Sequence, residues 1–159
     1  MTCGAKVVKR FQRVVLSCLG VAAISVSVQV QAQAHQKAEP LVTIGPSVTE
    51  IVYALGAGDQ IVGTDQSSKT PEDAQIAKLG YHRQLSAEGL ISLKPSRIIG
   101  TEDMGPPAIL EQLKAAGVEV TIMPSGNTLN DLYQQIDALA DLFNRESAGT
   151  QLRQSLEQD

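Results

Sequence analysis

The sequence predicts an α/β fold, a three-layer Rossmann-like lobe on a mainly parallel sheet. Apolar runs of strand length recur at residues 41–44, 61–63, 97–100 and 118–122, and helical patterns with start and stop signals fill most of the spaces between them. Strands joined by helices over such spacings make βαβ units, which run parallel and cover both faces of the sheet. The chain is 159 residues long, 43% hydrophobic and 19% charged, the composition of about one globular domain.

Each element has a local cause. After the strand at 41–44, Ser47-Val48-Thr49-Glu50 has the spacing of a capping box, with the Ser47 hydroxyl and Glu50 carboxylate satisfying the first free amides of a helix that reaches Leu55. Gly56 then stands where a helix needs a left-handed residue to stop. A strand at 61–63 leads into a polar loop at 65–70 and a short helix opened by Pro71. Ser86 caps a helix through about Leu93, which Pro95 stops. A strand at 97–100, a helix from Pro107 to Ala116 ending at Gly117, and a strand at 118–122 follow. Thr128 caps a helix to about Phe143, and residues 146–158 form one more. The lobe proper is residues 41–144, preceded by a short linker at 35–40.

The first 34 residues stand apart. Lys6, Lys9, Arg10 and Arg13 make a basic start, residues 14–30 an apolar stretch, and Ala32-Gln33-Ala34 a small-residue cleavage site, the three parts of a secretory signal peptide. Export to the periplasm is expected, with cleavage after about Ala34. Ser17, Ser25, Ser27 and Gln29 interrupt the apolar stretch, which argues against a membrane anchor. Cys18 follows Val15-Leu16-Ser17 in the manner of a lipoprotein signal, but too few residues separate it from Arg13 to form the apolar region such a signal needs. Cleavage removes Cys3 and Cys18, so neither a disulfide nor a thiolate metal site remains. It also removes four of the thirteen basic residues and none of the seventeen acidic ones, leaving a formal charge of −8 on residues 35–159. That balance excludes a nucleic-acid partner, which needs a basic stripe.

In parallel sheets ligands gather beyond the carboxyl ends of the strands. Here those ends feed Gly45-Pro46-Ser47, Asp65-Gln66-Ser67, Thr101-Glu102-Asp103 and Pro124-Ser125-Gly126, loops polar enough to rim a cleft. Nucleotide motifs are missing: Gly56, Gly58 and Gly63 have the wrong spacing for a dinucleotide loop and follow a helix instead of a strand. Nor does a nucleophile elbow occur. The reactive cluster is Tyr81-His82-Arg83, between Gly80 and the helix start at Ser86, in a chain with three tyrosines and two histidines. A phenolate is a hard oxygen donor suited to ferric iron, and a nearby guanidinium stabilises the same anion. If the segment is extended, Tyr81 and Arg83 share a side while His82 points away. Arg83 can then also pair with a carboxylate of the ligand.

Residues 41–68 (LVTIGPSVTEIVYALGAGDQIVGTDQSS), 79–95 (LGYHRQLSAEGLISLKP) and 105–120 (GPPAILEQLKAAGVEV) resemble the N-terminal half of the periplasmic haem-binding proteins that serve ABC importers. The capping-box opening and the Gly-Asp-x-x-Val-Gly turn are shared with cobalamin and ferric-siderophore carriers; the Gly-Tyr-x-Arg-Gln-Leu-Ser-x-Glu-Gly run is the more specific signal. The resemblance implies a solute carrier and not an enzyme, with haem as transported ligand and an inner-membrane ABC permease with its ATPase as partner. It implies Tyr81 as axial ligand of the haem iron, with Arg83 contacting a propionate or favouring the phenolate. Ser47 either receives a propionate at the helix start or simply caps it, and Asp65, Gln66 and Thr101 line the rim. His82 is the rival ligand. The resemblance further implies a two-lobe clamp bridged by a long helix, whose first residues are 145–159, a mobile end without its partner surface. Two other readings stay open: a cobalamin or ferric-siderophore carrier of the same fold, and an exported α/β enzyme using the Tyr81-His82-Arg83 loop.

Overall fold

A computed structural model describes residues 39–158. The signal segment 1–34, its cleavage point and most of the linker 35–40 lie outside these residues. Five strands form one parallel sheet: β1 (Leu41–Ile44), β2 (Ile61–Thr64), β3 (Ala77–Lys78), β4 (Arg97–Thr101) and β5 (Glu119–Met123). Their spatial order is β3-β2-β1-β4-β5, so the chain winds outward from β1 on one side, then returns to pair β4 on its other side. The strand order reverses between β1 and β4, and in doubly wound sheets ligands usually gather at the carboxyl ends of the strands at such a point.

Helices cover both faces. Leu41 and Ile99 face one way and join Val48, Ile51 and Val52 of α1 (Pro46–Ala54) and Ile136 and Leu139 of α4 (Leu129–Leu142). Val42, Ile44 and Ile98 face the other way and join Leu90 of α2 (Ala87–Ser92) and Ile109 and Leu113 of α3 (Pro107–Ala115). This alternation is the strand period of two, and it makes the three layers. Each of these buried aliphatic side chains contributes roughly 1.5–3 kcal/mol, whereas an exposed ion pair contributes about 0–1 kcal/mol. The two apolar clusters therefore hold the lobe.

Three local expectations are corrected. The N-cap of α1 is Gly45, not Ser47; Pro46 takes the first helical position, which its fixed φ suits, and moves Ser47 inside the first turn. No side-chain capping bond forms there, and Glu50 is exposed. Pro71 opens only a turn, and the chain after it continues to the two-residue strand β3, which extends the sheet beside β2. The remaining stop and start signals act as expected: Gly56 and Gly117 have φ of 74° and 79°, and Ser86 and Thr128 accept from the amides of Gly89 and Asp131.

The last helix, α5 (Glu146–Leu156), is packed, contrary to the expectation of a mobile end. Ala148 and Leu152 join the apolar cluster of α1 and α4, and Arg153 pairs with Asp137 at 2.6 Å while its guanidinium stands 4.6 Å from the centre of the Tyr133 ring. Gly149 permits the approach, because a Cβ there would stand 2.6 Å from Ala140 Cβ, a distance real side chains do not tolerate. Gly149→Val is expected to lower the unfolding free energy by about 1–3 kcal/mol in a urea titration. Adding Ala140→Gly should return part of the loss; equal midpoints for Gly149→Val and the wild type would mean that this contact does not set the distance between α4 and α5.

Candidate functional site

The carboxyl edge is organised by one buried group. Asp65, the first residue after β2, is 0% exposed. Its Oδ1 accepts from the Gly45 amide at 2.9 Å and from the Ser68 hydroxyl; its Oδ2 accepts from the Ser67 amide at 3.0 Å and from the Ser67 hydroxyl. Burial alone would raise the pKa of this carboxyl, but the Ser67 and Ser68 hydroxyls and the Gly45 and Ser67 amides outweigh it and hold the pKa below the ordinary carboxylate value. The anion therefore binds the loop after β1 to the loop after β2.

Beneath it lies a cluster of hydroxyls. Thr49 Oγ1 is 3.0 Å from Ser68 Oγ, 2.9 Å from Thr43 Oγ1 and 3.0 Å from the Gly45 carbonyl. Ser68 gives its only hydrogen to the carboxylate, so its oxygen is free to accept from Thr49, with the Gly45 carbonyl competing for the same hydrogen. Asp65 and Thr101 are thus corrected as rim residues: both are buried, Asp65 supporting the rim from below and Thr101 packing its methyl near Gly45. Gln66 is exposed on the rim, its amide donating to the Gly80 carbonyl at 3.1 Å. Ser47 is half-buried in the first turn of α1, where amides have no intrahelical acceptor.

Tyr81 stands three residues beyond the end of β3 and is 46% exposed. The segment is not extended. The Gln84 amide donates to the Tyr81 carbonyl at 2.8 Å, closing a turn that brings the Tyr81 and His82 rings to 4.1 Å between centres at a 52° tilt. The expectation that these side chains point apart fails for that reason. His82 turns inward, its side chain 16% exposed, with Nδ1 3.4 Å from Ser67 Oγ and 3.8 Å from Asp65 Oδ2. Arg83 pairs with Asp103 at 3.0 Å and donates from Nε to His82 Nε2 at 3.4 Å. Two backbone bonds, Gly105 N–H to the His82 carbonyl and Leu85 N–H to the Gly105 carbonyl, both 3.0 Å, fasten the turn to the loop after β4.

Of the expected residues, then, Tyr81, Arg83, Gln66 and Ser47 belong to the surface of this edge, and Asp65 and Thr101 to its support. Ser67 and Asp103 fell within the expected rim loops without a role of their own, and sequence reasoning missed Ser68 and Thr49. Asp65-x-Ser67 is a readable signal, since an aspartate often accepts from the amide two residues on; nothing local marks Thr49. Among the described residues no group of three or more His, Cys, Asp or Glu side chains is placed to hold a metal ion.

The lobe is doubly wound and presents an aromatic turn at the carboxyl edge of its sheet, where such sheets take ligands. The chain belongs to the periplasmic binding protein family, which matches it over residues 41–159. That family consists of solute-binding proteins. The structure is similar to that of a periplasmic haem-binding protein, HutB, of Vibrio cholerae, with 37% identity and a TM-score of 0.72 over 76% of this chain and 47% of that one. A periplasmic haem-binding protein from Pseudomonas aeruginosa gives 36% identity and the same TM-score, covering 76% of this chain and 43% of the other. By sequence the chain is 30% identical to a vitamin B12-binding protein of Vibrio parahaemolyticus and 33% identical to an ABC transporter substrate-binding lipoprotein, YvrC, of Bacillus subtilis. Those matches cover 73% and 77% of this chain but only 42% and 40% of the relatives. The chain spans less than half the length of the proteins it matches.

Asp65 carries a testable consequence. Asp65→Ala should cost about 2–4 kcal/mol of stability at pH 7, because four donors lose a charged acceptor. The folded-state pKa lies below the unfolded one, so the carboxylate's contribution is complete above about pH 4 and is lost as pH falls through the depressed value. Urea titrations from pH 6 down to pH 3 should show the difference between wild type and Asp65→Ala shrinking only below about pH 4. A constant difference would refute this role.

Proposed function

We propose that this chain is the N-terminal lobe of the solute-binding component of an ABC importer, and that it binds ferric haem through Tyr81. The observation that carries the reading is the placement of Tyr81: a phenol half-open to solvent, on a fastened turn, at the edge where parallel sheets take ligands. A phenolate oxygen is a hard donor matched to ferric iron. Relatives named for haem at 36–37% identity support the same ligand. Arg83, 57% exposed at its side chain, is close enough in the chain to meet a propionate, and the first-turn amides at Ser47 offer a second anion position. Gln66 completes the rim.

Export to the periplasm by the signal segment 1–34 fits this role. Residues 145–159 begin the connector to a second lobe, whose face closes over the ligand, and the loaded carrier docks on an inner-membrane permease driven by its ATPase. No bond in the solute is made or broken; axial coordination, apolar burial of the ring and pairing of its carboxylates suffice. The vitamin B12-binding relatives favour a second reading, a cobalamin carrier of the same fold.

Hemin added to the purified protein should give a high-spin ferric spectrum with a phenolate-to-iron charge-transfer band. Tyr81→Ala should lose that band and weaken binding at least about tenfold, with an unchanged far-UV circular dichroism spectrum. A wild-type spectrum in the variant refutes the ligand assignment. Cobalamin binding without any hemin spectrum establishes the second reading instead.

A further inference from the structure

The side chain at position 82 is the one member of the Tyr81-His82-Arg83 cluster to which the haem reading gives no task, yet it is the least exposed of the three. Its contacts select one tautomer. Arginine is a donor only, so the Arg83 Nε–H directed at His82 Nε2 requires that nitrogen to accept. The hydrogen then resides on Nδ1, which faces Ser67 Oγ at 3.4 Å and Asp65 Oδ2 at 3.8 Å. Ser67 passes its own hydrogen to Asp65 and accepts from the imidazole. A chain of contacts thus runs from the buried carboxylate through Ser67 to the imidazole, then to Arg83 on one side and, by ring packing, to Tyr81 on the other.

We infer that His82 is a positioning residue: it orients the Tyr81 phenol and the Arg83 guanidinium toward the ligand by referring both to Asp65. The imidazole is not an iron ligand in this arrangement, since both nitrogens are engaged within the lobe. An exposed tyrosine on a free turn would have rotamers to lose on binding; one packed against a tethered ring has fewer. The same device serves metal centres generally, where outer partners hold a donor in the orientation the metal needs. This inference rests on the haem reading, and its test separates the two.

The test compares hemin titrations and absorption spectra of the wild type, Tyr81→Ala, His82→Ala and His82→Asn. If His82 positions Tyr81, His82→Ala binds hemin about tenfold more weakly and its phenolate charge-transfer band shifts and broadens without vanishing. His82→Asn, which returns an N–H near the Nδ1 position, regains part of the affinity. Wild-type affinity and band shape in His82→Ala, alongside loss of both in Tyr81→Ala, overturn the positioning role and leave the haem reading standing. Hemin binding that shows no phenolate band in the wild type, is lost in His82→Ala and persists in Tyr81→Ala makes His82 the ligand and overturns both. One readout needs no ligand: nuclear Overhauser contacts between the Tyr81 and His82 ring protons are expected in the free protein, and their absence also overturns the inference.

Discussion

A single carboxylate with no access to solvent holds the working edge of this lobe together. Removing a charge from water is costly, and the cost is offset here only because four donors from two loops converge on Asp65. Two of those donors, the Gly45 amide and the Ser68 hydroxyl, are buried and would otherwise be unpaired beside a packed core. The shared acceptor ties the geometry of the loop after β1 to that of the loop after β2. The constraint also reaches the turn after β3, through Ser67 and His82, and so extends from the middle of the sheet to its margin.

Rigidity and exposure are in this way assigned to different residues. The apolar clusters on the two faces of the sheet supply most of the free energy and need only the strand and helix periods to form. The carboxyl edge adds little hydrophobic burial but fixes directions. Tyr81 can be half-exposed because part of its surroundings is not: His82 packs inward beside it, and Leu85 and Met104 are buried where the turn meets the loop after β4. A donor group presented on such a support has little conformational freedom to lose when a ligand arrives.

Much of this was legible in the chain. Four of the five strands and all five helices follow from apolar period and from Gly, Pro, Ser and Thr punctuation, as at Ser86, Thr128, Gly56 and Gly117. What escaped the sequence was partly local and partly tertiary. Ser47-x-x-Glu50 matches a capping box, yet Pro46 suits the first helical position and moves the cap back to Gly45. The strand at Ala77 has only two residues, too few for any period to register. Residues 81–84 contain neither glycine nor proline to announce a turn, so the segment reads as extended until the bond from Gln84 to Tyr81 is seen. The burial of Asp65 could not be read at all, because it depends on donors twenty residues away in sequence as well as on its immediate neighbours.

The ion pair between Arg83 and Asp103 has a consequence of its own. Both side chains are about half exposed, and such pairs are worth about 0–1 kcal/mol, so the partnership is easily exchanged. Any anion approaching the guanidinium meets an occupant already in place and must displace it or share its donors. At physiological ionic strength the screening length is about 8 Å, so dissolved salt loosens the resident and discourages the newcomer together. The lobe carries an internal competitor whose grip weakens in step with that of its rival, which blunts the dependence of that encounter on the saltiness of the surroundings.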